Sequence, residues 1–229
     1  MDVAQRRGDA GSILGERVYQ ALRSAIISCR VQPGEPLQEA RLVKQLGVSK
    51  TPVREGLVRL AETGLVTWTP YRGYAVSHVT SDDVREISQL RAVLEGLAAR
   101  EASVRLTDRE LDELAELASL STKQASDGDP SEAAELGHAI HVAIYENCGN
   151  RRLRASIERL NDEFDRIRKL AGRPTGRRPE EEHAAVVSAL RSRDPDRAET
   201  VLRAHVVHVF DHLERDLIHR ATDEDSHGL

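Results

Sequence analysis

The chain has 229 residues, 31% of them charged and only 3% aromatic, with a formal net charge of −5. Its two cysteines, Cys29 and Cys148, are far apart and form no CxxC pair, which excludes a disulfide framework and a cysteine zinc site. No apolar run approaches the roughly 20 residues of a membrane span, and Met1 to Gly15 lacks the apolar centre of a signal peptide, so no membrane partner is expected and the cytoplasm is the expected compartment.

Charge is unevenly placed along the chain. Residues 1–78 carry 11 Lys and Arg against 7 Asp and Glu, a balance of +4, whereas residues 79–229 carry 22 against 31, a balance of −9. A basic head on an acidic body suits attraction of a polyanion at one end only.

Residues 1–12 read as a disordered tail. Helical periodicity then predicts a first helix from about Ile13 to Cys29, with Leu14, Val18, Ala21, Leu22, Ala25 and Ile26 on one stripe. Gln32-Pro-Gly-Glu-Pro36 breaks it. A second, short helix carries Leu37, Leu42, Val43 and Leu46 and stops at Gly47. Three residues later, Thr51-Pro52 reads as an N-cap followed by proline at the first helical position. The third helix places Val53, Leu57, Leu60, Ala61 and Gly64 on one face. Leu65–Thr69 and Gly73–Ser77 then read as two short strands around Pro70-Tyr-Arg72, a hairpin the size of a wing.

Beyond Ser77 no strand pattern follows. Thr80-Ser-Asp-Asp83 and Thr107-Asp-Arg-Glu110 have the form of capping boxes. Asp129-Pro130, Arg178-Pro179 and Asp194-Pro195 each put proline where a helix begins. Leu153, Ile157, Leu160, Phe164 and Ile167 recur in steps of four and three. These signals predict five to seven amphipathic helices in a bundle, with loops near 105, 126–129, 148–150, 172–178 and 193–195, and a basic loop over Arg173–Arg178. The expected fold is mainly α: a winged helix-turn-helix with a small β-hairpin wing over 13–78, an all-helical domain over 79–222, and disordered tails at 1–12 and 223–229.

Two helices joined by a tight turn, the second opening with small polar residues, form the pattern that lays its second helix in a DNA major groove. Lys50, Thr51 and Arg54 surround the start of that helix, and Arg54 and Arg59 lie off the Val53/Leu57/Leu60 face. Arginine suits bidentate contact with a guanine edge, while Thr51 and the helix N-terminal amides suit phosphate. Arg72-Gly73 at the wing tip sets a cation beside a residue without Cβ. Taken alone, the same residues also fit a plain amphipathic helix pair with solvated arginines.

The segment as a whole resembles the winged helix-turn-helix of the GntR superfamily. The residues that carry the likeness are Pro33-Gly-Glu35, Leu37-Gln-Glu39, Leu46-Gly-Val-Ser49, Thr51-Pro-Val-Arg-Glu55, Leu60, Gly64-Leu-Val66 and Arg72-Gly-Tyr-Ala-Val76. The resemblance implies double-stranded operator DNA as partner, with Arg41, Lys50, Arg54, Arg72 and Gly73 in contact with it. Lys50 stands where the family more often has arginine, and a point charge in place of a fork favours a phosphate role there. A homodimer is expected, because operator half-sites are matched by a two-fold protein.

Eight of the nine histidines lie at or beyond His138. His141 shares a face with Gly137, Ile144 and Cys148; His183 with Val186, Val187 and Leu190; His205 with Leu202, Val209 and His212. One such histidine reads as an ordinary core residue. Three, on three helices, also fit a divalent metal such as zinc, nickel, manganese or iron. This region resembles the FCD-type effector domain of the FadR-like branch of the same superfamily, through Leu90-Arg91, Leu94-Glu95, His141 with Asn150, Glu182-His183, and Ala198 with Leu202 and His205. That likeness implies a small acidic effector and a metal held by His141, His183 and His205. Metal-binding members place an aspartate four residues before the first histidine; here that position is Gly137, which ligates nothing. Arg91 reads equally as an anion clamp for the effector and as the salt-bridge partner of Glu95. Two rival functions fit parts of the pattern: an effector-blind DNA-binding protein, which Gly137 suggests, and a three-histidine metalloenzyme, for which no proton-transfer residue stands at a recognisable spacing.

Overall fold

The computed structural model describes residues 3–172 and 182–226 and divides the chain into two compact units, Met1–Thr80 and Ser81–Leu229. In the first unit the order is α1 (Val3–Ile27), α2 (Glu39–Leu46), α3 (Lys50–Glu62), β1 (Val66–Thr69) and β2 (Gly73–Val76). The first helix starts at Val3, so most of the stretch read as a disordered tail belongs to α1. Val18, Leu22 and Ile26 of α1 pack with Leu42 of α2 and Val53, Leu57 and Leu60 of α3, closed off by Leu37, Leu65, Val66 and Val76. Gly56 permits the close crossing of α1 and α3: a Cβ there would lie 2.8 Å from Val18 Cγ1 and 3.1 Å from the Tyr19 backbone nitrogen. Contact at that range offsets the roughly 1 kcal/mol that glycine costs inside a helix.

The turn between α2 and α3 depends on Gly47, whose φ of 66° places it in the left-handed region, with its N–H donating to the Val43 carbonyl. That tight reversal lets the third helix begin earlier than the sequence suggested. Ser49 occupies the cap position and Lys50 the first helical one, so Pro52 sits third. The first four N–H groups of a helix have no intrahelical acceptor, and a proline there removes no bond. β1 and β2 pair antiparallel, Val66 opposite Val76 and Thr69 opposite Gly73. Residues 34–37 extend this ladder, Val76 donating to the Glu35 carbonyl and Leu37 to the Tyr74 carbonyl.

The second unit contains α4 (Ser81–Ser103), α5 (Asp108–Asp127), α6 (Pro130–Glu146), α7 (Arg151–Ala171), α8 (His183–Arg191) and α9 (Pro195–Ser226). Helix α9 runs into the stretch 223–229 that was read as a tail. Arg173–Arg178 and Pro179 lie outside the described residues. Helices α4 and α9 make the most extensive pairing, α5 pairs with α6, and α7 and α8 close the bundle. Small residues allow the α4–α9 approach: Ala92, Ala98, Ala99 and Ala102 are buried, and a Cβ on Gly96 would strike the Arg203 side chain. Side-chain caps fix the starts of α5, α6 and α7. Thr107 and Glu110 form a reciprocal capping box, Asp129 accepts from the Ser131 N–H ahead of α6, and Asn150 accepts from the Arg152 and Leu153 N–H groups at the start of α7. Among the described residues no helix is long and apolar enough to cross a membrane.

Candidate DNA interface and histidine site

Burial of Val53, Leu57 and Leu60, each at 0% exposure, turns the opposite side of α3 outward. Lys50, Thr51 and Arg54 are exposed there, as is Arg41 on α2. Glu39, at the first residue of α2, sits between the two cations. The Arg54 Nε donates to both of its oxygens, at 3.0 and 3.1 Å, and Lys50 Nζ lies 3.2 Å away. Burial opposes ionisation of Glu39, but hydrogen bonds from Arg54 and Lys50 outweigh it and hold the carboxyl below its ordinary value. The family motif contains Glu39, yet sequence reasoning gave it no role. Its separation from Arg54 by fifteen residues is visible only once α2 and α3 cross.

Arg59 is placed elsewhere. Its guanidinium stacks 4.2 Å over the Tyr19 ring and pairs with Glu16, both on α1. It is off the apolar face, as expected, but is held against α1 and not beside Lys50 and Arg54. At the wing, Arg72 is exposed, and Gly73 has a φ of 80° with nothing within 4 Å of where a Cβ would stand. Tyr71, at the turn itself, is fully exposed with a φ of 65°.

The second unit brings His141 of α6, His183 of α8 and His205 of α9 together, with their ligand atoms within 4.8 Å of one another. His183 and His205 are 4% and 2% exposed. Two carboxylates orient the rings. His141 Nδ1 lies 2.5 Å from Glu95 Oε2, and His205 Nδ1 lies 3.0 Å from Glu182 Oε2. A carboxylate only accepts, so both Nδ1 atoms carry a proton, and in the neutral rings both Nε2 atoms present lone pairs. Those two lone pairs face each other across 3.2 Å. Neutral rings so arranged repel, and a cation between them removes the conflict. Nitrogen ligands at about 2.0–2.1 Å in a tetrahedral shell stand about 3.3 Å apart, so the His141–His205 pair has the spacing of two ligands of a divalent transition ion. The carboxylate–histidine pairing is the usual support for such ligands.

His208 and His212 offer a contrast one turn further along α9. Arg215 Nη2 lies 3.4 Å from His212 Nδ1, His212 Nε2 lies 3.1 Å from His208 Nε2, and His208 Nδ1 pairs with Glu182. Donor and acceptor alternate along this chain, so it closes without a cation. Burial is the main cause that holds the His205 pKa below its ordinary value, and the hydrogen bond to Glu182 opposes it only in part.

Gly137 has a structural role that its sequence position did not reveal. A Cβ there would lie 2.4 Å from His183 Cε1 and 3.2 Å from each ring nitrogen. The space an aspartate side chain would need is filled by His183. Beside the histidines lies a cavity of about 520 Å³, lined by Arg91, His138, Phe164, Arg168 and Phe210 among others. Arg91 is 2% exposed; its Nε and Nη2 both lie 2.5 Å from Glu95 Oε1, and its guanidinium stacks 4.0 Å over Phe164. Arg91 is paired with Glu95, as one reading expects; its buried Nη1 has no hydrogen-bond acceptor, and the side chain lines the cavity, the position the anion-clamp reading requires. Burial disfavours the Glu95 carboxylate, but the charges of Arg91 and His141 more than compensate and bring its pKa down to about 2. The double duty of Glu95 escaped sequence reasoning, because only Arg91 is its neighbour along the helix.

Comparison with known proteins gives two domain matches: "Bacterial regulatory proteins, gntR family" over residues 14–76 and "FCD domain" over residues 86–208. The HTH-type transcriptional repressor RspR of Escherichia coli strain K12 is 29% identical over 202 residues, spanning 84% of this chain and 86% of the relative. The HTH-type transcriptional repressor GlaR of the same strain is 31% identical over 199 residues, spanning 82% and 90%. Among solved structures, E. coli McbR/YncC aligns with a TM-score of 0.69 at 25% identity, over 88% of this chain and 97% of its own. A transcriptional regulator GntR from Rhodococcus sp. RHA1 shares the fold, with a TM-score of 0.69 at 22% identity over 87% and 96%.

Proposed function

Because the chain belongs to the gntR family of bacterial regulatory proteins and carries an FCD domain, we propose that it is a cytoplasmic, homodimeric repressor released from its operator by a small carboxylate-type metabolite. The observation that carries the DNA half is the exposed cationic start of α3 above a fully buried apolar face. Arg54 reads base edges from that position. Lys50, Thr51 and Arg41 take phosphates, while Arg72 and Gly73 at the wing tip follow the backbone or minor groove. Glu39 keeps the Arg54 fork extended before DNA arrives.

Operator fragments recovered by selection on the purified full-length protein supply the test. Arg54→Ala is expected to weaken operator binding by about 5- to 150-fold, equivalent to about 1–3 kcal/mol, and to relax sequence preference. Lys50→Ala is expected to weaken all DNA alike and to reduce the salt slope by about one. Equal binding of operator and random DNA before and after the Arg54 change would remove the base-reading role.

For the effector half, His141, His183 and His205 are the residues that would hold a divalent metal, and imidazole suits zinc, nickel, manganese or iron. Three protein ligands leave a coordination position open. When bound, the ion supplies positive charge for an effector carboxylate, and the Arg91 Nη1 group offers a donor beside it. Release from DNA requires that the effector bind the DNA-incompetent arrangement more tightly, since equal affinity for both arrangements shifts nothing.

The homodimer has a candidate face in Leu90, Val93 and Leu97, which stand exposed at three- and four-residue spacing on α4. A second copy of the chain covering this stripe would bury an apolar surface otherwise left in water. Val93→Asp is expected to shift the full-length protein from dimer to monomer in sedimentation; an unchanged dimer would place the interface elsewhere.

A further inference from the structure

We propose that Arg168 is a second anion anchor, so that the effector is a dianion, a dicarboxylate held between Arg91 and Arg168. The inference rests on the reading of the C-terminal cavity as the effector site and adds the chemical class of its ligand. Both arginines line the same cavity, and each keeps one buried guanidinium nitrogen with no hydrogen-bond acceptor: Nη1 of Arg91 and Nε of Arg168. A buried charged donor without an acceptor is costly, and two of them in one cavity point to acceptors that arrive with a ligand. Phe164, Phe210, Val209 and Leu213 supply the apolar share of the lining. Such a surface suits a short methylene chain.

Arg91, from α4, stacks 4.0 Å over Phe164 of α7, and Arg168 lies one turn further along α7, so the two guanidinium groups reach one cavity from different helices. Arg168 is also easily recruited. Its Nη2 is 2.9 Å from Glu135, whose side chain is 68% exposed, and 3.7 Å from Asp165. An ion pair to so exposed a carboxylate contributes little, so a ligand carboxylate displaces or shares it at small cost. Lys169 adds positive charge at the same wall, while Glu135 and Asp216 are the acids that line it.

Calorimetry on the full-length protein, with its metal, compares succinate, glutarate and adipate with butyrate, valerate and hexanoate. The expected result is that a diacid binds at least about 30-fold more tightly than the monoacid of equal length. Arg168→Gln is expected to reduce that preference below about threefold while leaving monoacid affinity within twofold. Glu135→Gln, which removes the competing carboxylate and leaves Arg168 in place, is expected to tighten diacid binding about two- to threefold. Equal affinity for diacids and monoacids, or equal loss of both in Arg168→Gln, overturns the anchor while leaving the effector site standing. Binding of neither class overturns both.

Discussion

Gly137→Ala is expected to abolish the metal binding proposed for His141, His183 and His205 while leaving the helices folded. The added Cβ would stand 2.4 Å from His183 Cε1, a separation that no packed atoms sustain, so the ring must leave its place or α6 and α8 must part. Either movement takes one of three ligands out of the group formed with His141 and His205. Metal affinity is then expected to fall at least about 100-fold, the upper end of what the loss of a supporting partner alone costs. Helix propensity favours alanine over glycine by about 1 kcal/mol in a helix interior and offsets part of the roughly 1–3 kcal/mol that such overpacking costs, so the metal-free variant should stay folded and melt slightly below the metal-free parent. Metal content per chain after chelator competition reads the first effect, and thermal unfolding in chelator reads the second. Full metal retention with unchanged competition would mean that the three imidazoles are not the ligand set.

Gly137 also marks where sequence reasoning reached its limit. The absence of a carboxylate at that position was legible, and it reads as a weakened site. Which atoms fill the vacated space was not legible, because His183 comes from another helix. The same boundary runs through the rest of the molecule. Periodicity located the buried stripes of α1 and α3, and the alternation of turn residues located the wing, since both depend on neighbours along the chain. The capping box at Thr107 and Glu110 is local too, and it forms. Arg59 shows the contrary case. Its position off the apolar face follows from helical spacing, but its seat on Tyr19 and Glu16 follows from how α1 crosses α3.

Charge pairing across elements was the least visible feature. Arg91 and Glu95 are four residues apart on α4, and their pairing is readable from spacing alone. The second oxygen of Glu95 reaches His141, 46 residues away, and Glu182 joins His205 to His208. These two carboxylates orient the rings, so that the Nε2 atoms of His141 and His205 face each other while His208 and His212 complete a donor–acceptor chain. Residue identity supplied the ligand chemistry. Tertiary contact supplied the tautomers.

Glu95→Gln is expected to lower the stability of the second unit by about 3–5 kcal/mol, the cost of leaving a buried charge without its partner. Both side chains of the Arg91–Glu95 pair are 2% exposed, so water cannot replace the lost carboxylate, and an amide cannot neutralise the guanidinium. The pH dependence gives the assignment its sign. The Glu95 pKa is depressed from 4.5 to about 2 in the folded chain, so the folded state favours the ionised form. The resulting stabilisation, about 3 kcal/mol, is fully present above pH 4.5 and is lost as the pH falls from there toward 2. In Glu95→Gln that component of acid sensitivity is absent. Urea unfolding of the full-length, chelator-treated protein and its variant should therefore differ most at pH 7 and converge as the pH approaches 2. A gap that stayed constant from pH 7 to pH 2 would show that the loss comes from altered packing and that the buried carboxylate is not the source of the stabilisation.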